Sequence, residues 1–163
     1  MANPLYDTLF GAHAGRDAPF LHLIDGSTVT YAAFLAQTAQ MAHVLTGLGV
    51  QPGDRVAVQV HKSPQALALC AACAQAGLVF LPLNTAYTTD ELTYFIENSG
   101  AALVVCDAAK TGSLEPVAEG LGATVETLNA DGTGSLTDKS AQQPDQFDTV
   151  DRSEDDLAAF LYT

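Results

Sequence analysis

The sequence predicts an α/β protein with a mostly parallel sheet that carries helices on both faces. Short aliphatic runs alternate with segments of helical length from residue 55 onward, as at 56–60 and 79–83. Helix start and stop signals such as Ser63-Pro64 and Gly77 separate these runs. The 163 residues are 48% apolar, which is ample for a packed core. Strands that alternate with helices at this spacing form βαβ units, in which successive strands lie parallel.

The first fifty residues precede this regular pattern. Residues 4–13 indicate a short helix, and residues 20–30 indicate a hairpin with an Asp-Gly turn. A long amphipathic helix is predicted over 31–48, because apolar residues recur there at helical spacing. Thr30 precedes that helix and is placed to cap it.

Between residues 55 and 128, the predicted helices carry their own boundary signals. Ser63 and Pro64 begin a helix that is apolar all round and should therefore be buried. Thr88 and Glu91 form a capping box at the start of the next helix. We expect four strands and one further helix in this region: strands 56–60, 79–83, 103–106 and 124–128, and helix 113–121.

The chain divides into three parts on this interpretation. Residues 1–128 are predicted to form an α/β subdomain built of βαβ units. Residues 129–155 are rich in Asp, Ser, Thr, Gln and Gly, which predicts an acidic polar loop. Residues 156–163, DLAAFLYT, are apolar enough to predict a strand buried on both faces. Such a strand is an unusual chain end, since termini are generally polar and frayed.

Charge and composition restrict the class of protein. The chain has 19 acidic and 6 basic residues and a net charge of −13, which would repel a phosphate backbone, so nucleic-acid binding is not expected. The first residues lack a basic start followed by an apolar stretch, and no segment reaches the roughly 18 consecutive apolar residues that span a bilayer. Three cysteines in such a chain do not suggest a disulfide framework. We therefore predict a cytoplasmic protein without a membrane segment.

Short motifs in the chain give no catalytic site or metal site. Cys70 and Cys73 have the spacing of a redox pair, but they lie within an apolar helix and are better explained as buried small residues. Residues 129–134 resemble the start of a calcium loop, yet Ser140 stands where the bidentate Glu belongs. Residues 61–63 follow a strand and precede a helix, where α/β proteins often bind ligands. A capping turn with surface charges explains that segment equally well.

Three longer stretches carry a family resemblance. Residues 29–35 (VTYAAFL) resemble the first core motif of the acyl-adenylate-forming enzymes, and residues 74–84 (AQAGLVFLPLN) resemble the second. Residues 155–163 (DDLAAFLYT) resemble the opening of the third. This superfamily contains acyl-CoA synthetases, peptide-synthetase adenylation domains and luciferases. Within it, the narrower resemblance is to the malonyl-CoA synthetases, through residues 82–88, 122–128 and 134–138.

The resemblance implies a two-step reaction and its substrates. A small carboxylic acid, malonate on the narrower resemblance, attacks ATP to give acyl-AMP and pyrophosphate, and coenzyme A then displaces AMP with Mg²⁺ offsetting the triphosphate charge. In that family the third motif leads into a loop that wraps the ATP phosphates, so Thr163 is the residue expected to contact ATP and Tyr162 to pack beneath the loop. The remaining family-motif residues are expected to be structural: Tyr31, Gly77, Pro82 and Asn84.

The resemblance also implies that the chain is the N-terminal fragment of a longer enzyme. Its catalytic residues would then lie beyond Thr163, and the fragment by itself should be inactive and prone to self-association. Several alternatives stay open. The chain could belong to another adenylating enzyme, such as a fatty acyl-CoA synthetase or a peptide-synthetase adenylation domain. It could also be a stand-alone α/β binding module, or a flavodoxin-like protein, although no flavin phosphate loop is evident.

Overall fold

The computed structural model describes residues 3–163 and confirms the α/β class. The strands are β1 (Pro19–His22), β2 (Thr28–Thr30), β3 (Arg55–Gln59), β4 (Val79–Pro82), β5 (Leu103–Cys106) and β6 (Thr124–Thr127). The helices are α1 (Pro4–Leu9), α2 (Tyr31–Gly47), α3 (Pro64–Gln75), α4 (Thr89–Ser99), α5 (Thr111–Gly120) and α6 (Ser135–Ser140). Short 3₁₀ turns follow α1 at Gly11–His13 and β5 at Ala108–Lys110.

The main sheet has four parallel strands in the order β4-β3-β5-β6. Val56 in β3 is paired with Phe80 on one side and with Leu103 on the other. The strands β1 and β2 form a separate antiparallel hairpin, as expected. At its turn, the Asp25 carboxylate accepts a hydrogen bond from the Ser27 N–H at 2.9 Å. The parallel arrangement follows from the helical connections that the sequence predicts between the strands.

Two apolar cores lie on opposite faces of this sheet. Val56 and Val58 pack into the core that also contains side chains of α2, α3 and α6. Ala57, between them, packs into the core beneath α4 and α5. Successive strand residues point to opposite faces, so β3 needs apolar side chains at every position. All four residues of β5 are buried for the same reason.

The predicted helix starts are confirmed. The side chains of Thr30 and Ser63 each accept a hydrogen bond from the backbone N–H three residues later, at 3.1 and 3.0 Å. Thr88 and Glu91 form the reciprocal capping box. At the end of α3, Gly77 has a φ of +72°. A Cβ on Gly77 would lie 3.0 Å from Cδ of Arg152, so this position requires glycine for both its conformation and its space.

The segment predicted as an acidic polar loop, 129–155, is partly helical. It contains α6, whose Leu136 is fully buried. It then runs along the end of α3. There the Gln75 carbonyl accepts a hydrogen bond from the Val150 N–H at 2.9 Å, and the Gln75 side chain donates one to the Phe147 carbonyl at 3.2 Å. The sequence prediction missed this order because a few apolar anchors, spaced far apart, are enough to fix an otherwise polar segment.

The last segment, 156–163, is not buried on both faces as predicted. It lies beside β4 at the edge of the sheet, joined by a single parallel bridge between Ala159 and Phe80. Leu157 is 66% exposed and Leu161 is 63% exposed. The apolar composition indicated a strand position correctly, but in residues 3–163 no further strand lies outside this segment to cover it.

Candidate functional site

The connections that leave the carboxyl ends of β3 and β5 run to opposite faces of the sheet. β3 leads into α3, which packs on one face of the sheet, whereas β5 leads into α5, which packs on the other. The loops after these two neighbouring strands therefore diverge. Ligands of open α/β sheets generally bind in the crevice at such a switch point. This edge of the sheet is the candidate site.

Gln59, the last residue of β3, joins the loops at this edge. Its side chain is 2% exposed. Its Oε1 accepts a hydrogen bond from Nζ of Lys110 at 2.7 Å, and its Nε2 donates one to the Asn84 carbonyl at 2.7 Å. Buried amide groups are usually fully paired, and here the pairing fixes the loops after β4 and β5 relative to β3. Sequence reasoning missed this residue, although a polar side chain that ends an apolar strand was a usable signal.

Basic side chains also gather at this edge. His61 and Lys62 line an open cleft of about 560 Å³ together with Val60, Leu83, Asn84 and Thr85. Lys62 and Lys110 are two of only 6 basic residues in a chain of net charge −13. Their placement brings positive charge to this edge of an acidic chain, which favours an anionic ligand. The hint that the sequence gave at 61–63 therefore coincides with the switch point.

Tyr162 fastens the last segment to α4. Its ring lies 4.4 Å from that of Phe95, centre to centre, with the planes tilted by 32°. Its hydroxyl donates a hydrogen bond to Oδ1 of Asn98 at 2.7 Å. Thr163, which the resemblance implies as the ATP contact, is exposed. Within residues 3–163 it forms no hydrogen bond or ion pair with His61 or with the basic side chains of this edge, so its role stays a prediction.

Cys70 and Cys73 lie on α3, whereas Cys106 ends β5 and is paired with Gln59 at this edge of the sheet. Cys73 is fully buried on α3 and Cys70 is partly buried on the same helix. Burial raises the pKa of both thiols, and it raises the pKa of Cys106 to about 11. In the part of the chain that the structure describes, no group of three or more His, Cys, Asp or Glu side chains is placed to hold a metal ion.

The region that resembled a calcium loop has a different organisation. The Asp131 carboxylate accepts hydrogen bonds from the N–H and hydroxyl of Thr133, at 3.0 and 2.6 Å, and these bonds lower its pKa. Behind this turn, the buried Glu126 carboxylate is paired with Lys139 and hydrogen-bonded to Ser135. The pair holds α6 against β6. The sequence analysis did not identify it.

Comparison with known proteins places the chain in a family. The family described as AMP-binding enzyme matches residues 11–163. The chain belongs to the AMP-binding enzyme family. Two crystal structures of MatB from Rhodopseudomonas palustris, one apo and one described as ATP-bound, are each 45% identical with a TM-score of 0.96. Each match covers 100% of this chain and 32% of the MatB chain.

Curated relatives carry different names. A feruloyl-CoA synthase from an Amycolatopsis species is 40% identical over 80 residues, which is 49% of this chain and 16% of that protein. A fatty acid–[acyl-carrier-protein] ligase, ScoC of Streptomyces coeruleorubidus, is 30% identical over 142 residues, which is 86% of this chain and 27% of that protein. The chain therefore spans less than a third of these relatives. No helix in residues 3–163 is both long and apolar enough to cross a membrane.

Proposed function

We propose that this AMP-binding family chain is the N-terminal part of an ATP-dependent acyl-CoA ligase. The observation that carries the proposal is the likeness to MatB, which extends over the whole chain and includes a structure described as ATP-bound. In the first step a carboxylate oxygen bonds to the α-phosphorus of ATP and pyrophosphate leaves. In the second step the coenzyme A thiol bonds to the acyl carbon and AMP leaves.

Malonate is the acid that we propose for this enzyme. The support is the resemblance of residues 82–88, 122–128 and 134–138 to malonyl-CoA synthetases. All three segments lie inside the region that matches MatB at 45% identity. The first of them contains Asn84, whose carbonyl is held by Gln59 at the candidate site. The second and third meet where the Ser135 hydroxyl, at the start of α6, donates a hydrogen bond to the Glu126 carboxylate of β6.

The chain's own residues would contribute binding and orientation. Thr163 would contact the ATP phosphates at the start of the phosphate loop, and Lys62 would add positive charge at the same edge of the sheet. Mg²⁺ offsets triphosphate charge in such chemistry. Mg²⁺ is usually held by one or two carboxylates together with substrate phosphates and water, so the triphosphate itself would supply several of its ligands.

The full-length protein that contains this chain provides the test. We expect sustained conversion of ATP to AMP and pyrophosphate to require both a carboxylic acid and coenzyme A, with malonate used more efficiently than acetate. Release of ADP instead of AMP would exclude the adenylate mechanism. Residues 1–163 alone serve as the control, and they should show no ATP turnover, because a site that lacks most of its preorganised groups loses its stabilisation of the transition state.

Another acid is the second candidate. A feruloyl-CoA synthase is 40% identical over about half of this chain, which supports an aromatic acid as the substrate. The similarity to ScoC supports a fatty acid. The same assay with ferulate, a fatty acid and a set of amino acids separates these possibilities from malonate. A preference for one of them would leave the ligase assignment intact and remove only the assignment of malonate.

A further inference from the structure

The last segment approaches the candidate site with few backbone contacts. The Phe80 N–H donates to the Ala158 carbonyl at 3.0 Å, and the Phe160 N–H donates to the Phe80 carbonyl at 3.0 Å. In the described residues, every hydrogen bond of the chain after Phe160 comes from the Tyr162 hydroxyl. The direction in which the chain leaves the sheet at Thr163 is therefore set by one side chain.

The Tyr162 side chain is held on two sides. Its ring stacks on Phe95 at 4.4 Å, and the ring of Phe160 packs against its edge at 5.0 Å and 64°. Its hydroxyl donates to Oδ1 of Asn98, one turn further along α4. Aromatic pairs at these separations are favourable beyond their buried area, and a tyrosine held at both ring and hydroxyl has little rotational freedom. Tyr162 is therefore a rigid support.

Phe95 links this support to the candidate site. The ring of Tyr87 also packs against Phe95, with the ring centres 4.9 Å apart. Tyr87 ends the loop after β4, and its N–H donates to the Asn84 carbonyl at 3.0 Å. That carbonyl also accepts the hydrogen bond from Gln59. A continuous series of contacts thus runs from the carboxyl end of β3 through Phe95 to Tyr162.

We propose that Tyr162 is a positioning residue for ATP binding. Stacked on Phe95 and hydrogen-bonded to Asn98, it fixes the path of the backbone at Thr163 and so aligns the groups that contact the ATP phosphates. This inference rests on the proposed function, because it takes Thr163 as the start of the phosphate-contacting loop. The role assigned to Tyr162 is indirect, because this side chain acts through the backbone that follows it.

Steady-state kinetics of the full-length enzyme test this role. Tyr162→Phe keeps the stack and removes the hydrogen bond to Asn98, so the KM for ATP should rise about fivefold, in line with the loss of one hydrogen bond. Tyr162→Leu removes the aromatic stacking as well and should raise the KM for ATP further. The KM values for the carboxylic acid and for coenzyme A should change less than twofold in both variants. Tyr94→Phe is the matched control, because it removes an exposed tyrosine hydroxyl from α4, the helix that carries Phe95 and Asn98. The KM for ATP of this variant should equal that of the wild type.

A double-mutant cycle identifies the partner. Asn98→Ala should raise the KM for ATP as Tyr162→Phe does, and the double variant should be no worse than either single variant, because both remove the same bond. A parallel rise in all three KM values, or an unchanged KM for ATP with a lowered melting temperature, would show a purely structural role and overturn the inference. A wild-type enzyme that consumes no ATP with any acid would overturn the proposed function and this inference with it.

Discussion

Cys73 and Cys70 have the spacing of a redox pair but the surroundings of core residues. Cys73 is fully buried, and burial raises the pKa of both thiols, so little of either is present as the reactive thiolate at neutral pH. We expect slow modification by a thiol reagent under native conditions, with Cys73 reacting only on unfolding, and no stoichiometric zinc. Labelling of the Cys70→Ser variant measures the rate of modification at Cys73 without the contribution of Cys70. Rapid labelling of both thiols in the folded protein would contradict this prediction.

The raised thiol pKa values also predict a pH dependence of stability. A thiol whose pKa is higher in the folded state keeps its proton there after the unfolded chain has lost it. The contribution of the thiols to the free energy of unfolding should therefore be constant below the ordinary thiol pKa of about 8.5 and should fall as the pH rises above it. Cys106, with a pKa of about 11, contributes to this fall up to that pH. Urea unfolding between pH 7 and 10 measures the slope, and Cys106→Ala should reduce it, whereas an unchanged slope would contradict the assignment.

Gly77 at the end of α3 shows how a backbone conformation constrains sequence. Its φ is +72°, and an added Cβ would lie 3.0 Å from Cδ of Arg152 and 3.1 Å from Cγ1 of Val150. We expect Gly77→Ala to lower the free energy of unfolding by about 1–3 kcal/mol. Gly112→Ala is the matched control. It lies within α5 with nothing inside 4 Å of its added Cβ, so it should be neutral or stabilising by up to about 1 kcal/mol.

The contact between β6 and α6 depends on one buried carboxylate. Glu126 is 3% exposed, and its charge is matched by Lys139, which is half-exposed. Lys139→Met removes the partner and leaves the carboxylate buried, so we expect a loss of about 1–3 kcal/mol in the free energy of unfolding. Lys62→Met, at an exposed position, should change stability little. Equal effects of the two substitutions in urea unfolding would show that the ion pair contributes nothing.

The exposed edge of the sheet predicts association of the 163-residue chain. Leu157 and Leu161 are 66% and 63% exposed beside β4, and unprotected apolar edges favour pairing with a second chain. We expect sedimentation to show dimers or larger species at micromolar concentration, and Leu161→Glu to shift them toward monomer. Ile24→Glu is the control, since Ile24 is fully exposed on the separate hairpin. A monomer throughout this range would contradict the prediction.

Much of the fold follows directly from local sequence. Apolar runs at strand spacing, the caps at Thr30 and Ser63, and the box formed by Thr88 and Glu91 each act over a few residues. Signals of this range can be read without knowing what else the chain contacts. The order of three family-like segments added the family, which the match over residues 11–163 confirms.

Tertiary structure alone decided the rest. Gln59 and Lys110 are 51 positions apart, and Tyr162 and Asn98 are 64 apart, so no local pattern could pair them. The order β4-β3-β5-β6 sets the first pairing, because it brings the end of β5 beside the end of β3. The second depends on the last segment lying beside β4. Burial of the last segment was misjudged for the same reason. The composition of a strand shows whether the strand can be buried. Whether another element covers it depends on which strands and helices lie beside it in the folded protein.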